Sequence, residues 1–97
     1  MRTMITVSFP VESANRGIKD GSLPRIIGAA MERLRPEAAY FFAAEGKRTA
    51  LFVADMKESS QIPSIAEPFF MGLDATLDFR PVMNADELKS GLEAAFR

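Results

Sequence analysis

The chain has 97 residues, 47% hydrophobic and 26% charged, with a formal net charge of -1. That size supports one core, and so a single domain over residues 1–97. The balance is too apolar for disorder and too near neutral to draw nucleic acid or an anionic membrane through bulk charge. Cysteine and histidine are both absent. Their absence removes disulfides, thiolate nucleophiles, the commonest metal ligand and the usual general base near neutral pH. No apolar run approaches the roughly 20 residues of a membrane span, and Met1 to Ser8 has no signal-like apolar stretch. The expected compartment is the cytoplasm, with no cofactor and no metal.

Thr3 to Phe9 alternates, with Ile5, Val7 and Phe9 on one face and Met4, Thr6 and Ser8 on the other. This is a strand pattern, and Pro10 ends it because proline cannot donate to a ladder. Val11 to Gly21 is the least decided stretch. Glu12 to Arg16 suits a helical turn or two, and Asp20-Gly21-Ser22 is loop chemistry. Ser22 is placed as an N-cap for a helix carrying Leu23, Ile26, Ile27, Ala30, Met31 and Leu34 at helical spacing, ended by Pro36.

Ala38 to Met56 reads as two strands around Gly46. Tyr40, Phe42 and Ala44 share one face of the first strand, Ala39, Phe41 and Ala43 the other. Leu51 and Val53 oppose Phe52 and Met56 on the second. Both faces are apolar, so the pattern leaves open which one meets the helices.

Ser59 or Ser60 is expected to cap a second helix carrying Ile62, Ile65, Ala66, Phe69 and Leu73. Pro68 lies inside it and predicts a kink or break, since it removes the amide bond to Ser64. Leu77 to Met83 alternates as a fourth strand, and Asn84-Ala85-Asp86-Glu87 opens a terminal amphipathic helix carrying Leu88, Leu92 and Phe96.

The order β-α-β-β-α-β-α implies an α+β, ferredoxin-like fold: four antiparallel strands with helices on one face, plus a C-terminal helix. The uncovered face should then be polar, yet the hairpin turns large apolar groups outward whichever way it faces. Exposing each would forgo about 1.5–3 kcal/mol and create an interface-like patch. The expected remedy is a homodimer through the open sheet face. The competing arrangement folds the terminal helix, Asn84 to Arg97, over that face of its own chain.

Several stretches resemble small uncharacterised bacterial proteins of the dimeric α/β-barrel superfamily. They are Phe9-Pro10-Val11-Glu12, Asp20-Gly21-Ser22-Leu23, Pro36 to Phe41, Ser60-Gln61-Ile62-Pro63, Ala66-Glu67-Pro68-Phe69 and Phe79 to Met83. The resemblance covers nearly the whole chain and implies fold and dimerisation. That superfamily includes cofactor-free monooxygenases, lactone isomerases, haem-degrading enzymes and members without known activity. The haem branch ligates iron through histidine, which this chain lacks.

Thr6, Ser8, Tyr40, Asp78 and Arg80 are the ligand-binding candidates. All fall on one sheet face if Tyr40 faces outward, and Arg80 would hold a carboxylate or enolate oxygen. Against this stands a purely structural Asp78–Arg80 ion pair. No catalytic residue is assigned, and the residues leave open whether the protein is an enzyme or a non-catalytic assembly module whose sheet face is filled by a partner. Glu12, Ser13, Asn15 and Arg16 suit a lid or a solvated loop. Phe69, Phe70 and Met71 suit a pocket lip or core. An RNA-recognition reading fails, because Arg48 to Val53 keeps one aromatic and Ile5 to Ser8 has none for stacking.

Overall fold

The computed structural model describes residues Met1–Arg97. Its elements are β1 (Arg2–Ser8), α1 (Val11–Asp20), α2 (Ser22–Leu34), β2 (Ala38–Ala44), β3 (Lys47–Asp55), α3 (Ile62–Leu73), β4 (Thr76–Pro81) and α4 (Ala85–Ala95), with a 3-10 turn at Ser59–Gln61 before α3. The strands form one antiparallel sheet in the order β2-β3-β1-β4. This is the ferredoxin-like α+β arrangement.

One face of the sheet carries the core. Ile5, Val7 and Phe9 of the β1 segment pack with Ala50 and Phe52 of β3, under Leu23 and Ala30 of α2 and Ile65, Phe69 and Leu73 of α3. The register puts Ala39 opposite Phe52 and Phe41 opposite Ala50, so this face of the hairpin meets the helices. Tyr40, Phe42, Leu51 and Val53 therefore turn to the uncovered face. Phe9 and Phe69 pack with ring centroids 6.0 Å apart, joining the first strand to α3.

The undecided stretch after β1 is a full ten-residue helix. Gly21, at φ 82°, ends α1 and starts α2, so two helices fill the first crossover. Ser22 lies inside α2; its amide donates to Asp20 Oδ1 at 2.8 Å, and the side chain two residues upstream takes the capping role expected of Ser22. The turn before α3 is likewise opened by Glu58, reciprocally bonded with Gln61, and not by either serine.

Pro68 neither breaks nor ends α3, which runs unbroken from Ile62 to Leu73. Arg33 of α2 accounts for this: its Nη1 donates at 2.6 Å to the Ser64 carbonyl that Pro68 cannot serve. The hairpin turns through Glu45 and Gly46, both at positive φ (53° and 76°). Two such residues make the turn whose twist matches that of the strands it joins.

α4 is capped as the sequence implies, with Glu87 N donating to Asn84 Oδ1 at 2.8 Å and Asn84 N to Glu87 Oε1 at 2.9 Å. It does not fold over the open face. None of its residues is buried, and the molecule measures 55 × 27 × 17 Å. The radius of gyration is 15.4 Å, against about 12.5 Å for a compact chain of this length. The projecting α4 is the reason for the difference.

Candidate functional site

The sheet's uncovered face is where the sequence candidates lie, and the ladder register fixes their arrangement. One row runs straight across all four strands: Tyr40 faces Leu51, Leu51 faces Thr6, and Thr6 faces Asp78. Ser8 lies one pleat along β1, between Thr49 and Thr76. Arg80 lies one pleat the other way along β4, opposite Met4. Thr6 and Asp78 are therefore cross-strand neighbours, and Tyr40 sits two strands away, roughly 10 Å at ordinary strand spacing.

Ser8 and Arg80 are four residues out of register on adjacent strands, roughly 14 Å apart along the backbone. The face gathers Thr6, Asp78 and Arg80 and leaves Ser8 and Tyr40 at its margins.

Arg80 Nε donates to Asp78 Oδ2 at 2.6 Å, two residues away on the same face of β4. Both side chains are more than half exposed, so water screens the pair and its contribution to stability is small. The guanidinium also has further donors to offer a ligand. Tyr40 is 64% exposed and Phe42 44% exposed, which makes the β2 side of the face apolar and the β4 side charged.

A second charged group closes one end of the face. Arg2 Nε donates to Glu37 Oε1 at 2.6 Å, and its Nη1 pairs with Glu87. The hydrogen bond and charge of Glu37, followed by the charge of Glu87, raise the Arg2 pKa above its ordinary value. This cluster ties the start of β1, the entry to β2 and the first turn of α4 together.

The residues after β1 serve structure. Ser13 Oγ donates to Asp74 Oδ2 at 2.7 Å, and Arg48 Nη1 donates to Asn15 Oδ1 at 3.0 Å. Phe69 is buried core, while Phe70 and Met71 are exposed on α3. No group of three or more Asp or Glu side chains clusters to hold a metal ion, and no helix is long and apolar enough to cross a membrane.

Two hollows of useful size lie away from the open face. One, of about 270 Å³, lies at the sheet end between Thr3, Met56, Ile62 and Phe79. The other, about 370 Å³, runs between α2 and the hairpin, lined by Phe9, Leu23, Ile27, Phe41 and Phe42. Sequence reasoning missed both, because each forms where separate elements fail to meet, and periodicity reports only the faces of single elements.

No protein-family model matches this chain, and no curated protein sequence matches it.

Proposed function

We propose that the protein is a homodimer of the dimeric α/β-barrel type that binds a small anionic molecule between the paired sheets. The observation carrying this reading is the two-part character of the uncovered face. Tyr40 and Phe42 expose ring surface on one side, and Thr6, Asp78 and Arg80 present donors and charge on the other. Pairing two such faces would desolvate the rings, each worth about 1.5–3 kcal/mol, and enclose the polar groups in a lower dielectric. There a guanidinium grips a carboxylate or enolate oxygen far better than in water. The resemblance extends the proposal to cofactor-free oxygenation or isomerisation of such an enolate.

Sedimentation at micromolar concentration tests the assembly: a species near 21 kDa, twice the 10.7 kDa chain, is expected. A clean monomer would sink it. Titration with a panel of small carboxylates, read by backbone amide shifts on β1 and β4, tests the ligand. Shifts should be lost in Arg80→Ala while the dimer persists.

The Asp78–Arg80 pair favours a second reading, a non-catalytic assembly module, because it already satisfies part of Arg80 internally. A solid inter-sheet contact in the dimer supports that reading, and a cavity lined by Thr6, Tyr40 and Arg80 supports the first.

A further inference from the structure

The helix layer stops at α2, which leaves the helix side of edge strand β2 bare. Phe41 is 55% exposed there, although its register partner Ala50 is fully buried. Its ring is nonetheless fixed, because Phe52 meets it edge to face with centroids 6.0 Å apart. Phe41 lines a groove of about 370 Å³ together with Phe9 and, from α2, Leu23 and Ile27. Pockets of about 300–1,000 Å³ with mostly apolar walls are those that take small organic molecules.

One lining residue is charged, and it is Arg48. Ala50 and Phe52 of β3 face the helices, and Arg48 shares their parity. Its side chain thus rises on the groove side of the sheet. Its cross-strand partner is Ala43, whose small side chain leaves room beside it.

Asn15 of α1 holds this guanidinium in place, its Oδ1 accepting from Arg48 Nη1 at 3.0 Å. An amide oxygen orients a guanidinium without neutralising it, and the other N–H donors stay free. Neither Glu12, three residues before Asn15, nor Glu45 at the hairpin tip makes an ion pair with Arg48. A positioned cation without a counter-ion, on an otherwise apolar groove, is complementary to an anion that carries its own apolar body.

We propose that the α2–β2 groove binds a hydrophobic monocarboxylate, its carboxylate on Arg48 and its hydrocarbon against Phe41, Leu23 and Ile27. The guanidinium fork can give a carboxylate more than one N–H at once. A single guanidinium balances a single negative charge, which favours a carboxylate over a phosphate dianion. The groove is on the helix side of the sheet, so this site is separate from the open face. It does not depend on two sheets pairing.

Octanoate and decanoate, kept below micelle-forming concentrations, are titrated into the full chain and followed by backbone amide shifts. The shifts should centre on Asn15, Leu23, Ala43 and Arg48. Decanoate should bind tighter than octanoate, by up to about fourfold for each added methylene. Arg48→Met keeps the side-chain stem and removes the charge. It should weaken octanoate about tenfold or more and leave octanol, which has no carboxylate, no weaker. Ala43→Trp, on an exposed strand position, fills the groove and should abolish binding of both, with circular dichroism showing the fold retained.

Shifts that centre on Thr6 and Asp78, and persist in Arg48→Met, put the carboxylate on the open face. They overturn the groove and leave the function proposed above standing. Absence of groove shifts, or equal weakening of octanoate and octanol in Arg48→Met, overturns it as well. Groove shifts in a protein that sediments as a monomer support this site while removing the dimer.

Discussion

Asp78 and Arg80 occupy the same face of edge strand β4, joined at 2.6 Å between Nε and Oδ2. The pair sets how much of the Arg80 charge a ligand meets. Asp78 is also the register partner of Thr6, so the carboxylate lies between the arginine and the polar centre of the face.

Replacing each member separates a binding role from a structural one. Because the pair is well exposed, Arg80→Ala and Asp78→Asn should each change folding stability by less than about 1 kcal/mol. Their effects on a carboxylate probe should be opposite. Arg80→Ala abolishes binding, whereas Asp78→Asn removes the competing anion and tightens it. Calorimetric titration alongside thermal melts checks both, and a matched fall in melting temperature with no change in binding would assign the pair to structure alone.

Arg33 is the support of a proline-containing helix. Its Nη1 serves the Ser64 carbonyl that Pro68 leaves without an amide donor. Arg33→Ala should cost about 0.5–1.5 kcal/mol, the usual net value of such a bond. Pro68→Ala restores the amide and should make the protein indifferent to Arg33→Ala. A double-mutant cycle in urea measures this coupling; additive losses would show that Arg33 acts elsewhere.

The alternation in β1 and the hairpin assigns the faces of the sheet from sequence, because a period of two assigns side chains to sides without knowledge of neighbours. It could not say that Phe41 and not Tyr40 would meet the helices, since both are large rings. The register decides that, because it sets Phe41 opposite the buried Ala50 and Tyr40 opposite Leu51. At Pro68 the helix does not break, for a reason of the opposite kind. The local rule counts a lost amide bond, and the compensating donor sits 31 residues away on another helix. Of the candidate site, Thr6, Asp78 and Arg80 were legible as neighbours from strand order and parity. The separation of Ser8 from Arg80 required the register. The freestanding α4 was not legible at all, since an amphipathic stripe announces that it will be covered without naming by what.

Acid should loosen the α1–α2 junction. The Asp20 carboxylate is held below its usual pKa chiefly by the side-chain and main-chain hydrogen bonds of Ser22. A carboxyl with a depressed folded pKa contributes stability that is present above its unfolded value, about 3.9. That contribution is lost as pH falls through the folded value. Amide exchange at Ser22 and Leu23 should therefore accelerate, relative to the β1–β3 ladder, below about pH 4. Asp20→Asn should remove this pH dependence while keeping the local turn. If wild type and variant show the same acid profile, Asp20 is not the group responsible.

The hairpin offers the reverse experiment, a substitution that should stabilise. Glu45 stands at φ 53° in the first turn position, with Gly46 at φ 76° in the second. Left-handed backbone costs an ordinary residue about 1 kcal/mol or more, whereas asparagine tolerates it through local side-chain hydrogen bonding. Asn-Gly is the favoured pair for this turn. Glu45 has no hydrogen bond or ion pair to lose, and its side chain is exposed. Glu45→Asn should therefore raise stability by about 0.5–1 kcal/mol, a rise in melting temperature of roughly 2–8 °C for a domain this size. Thermal melts of wild type and variant, run side by side, check this. An unchanged or lower melting temperature would show that the left-handed backbone at Glu45 carries no strain that asparagine relieves.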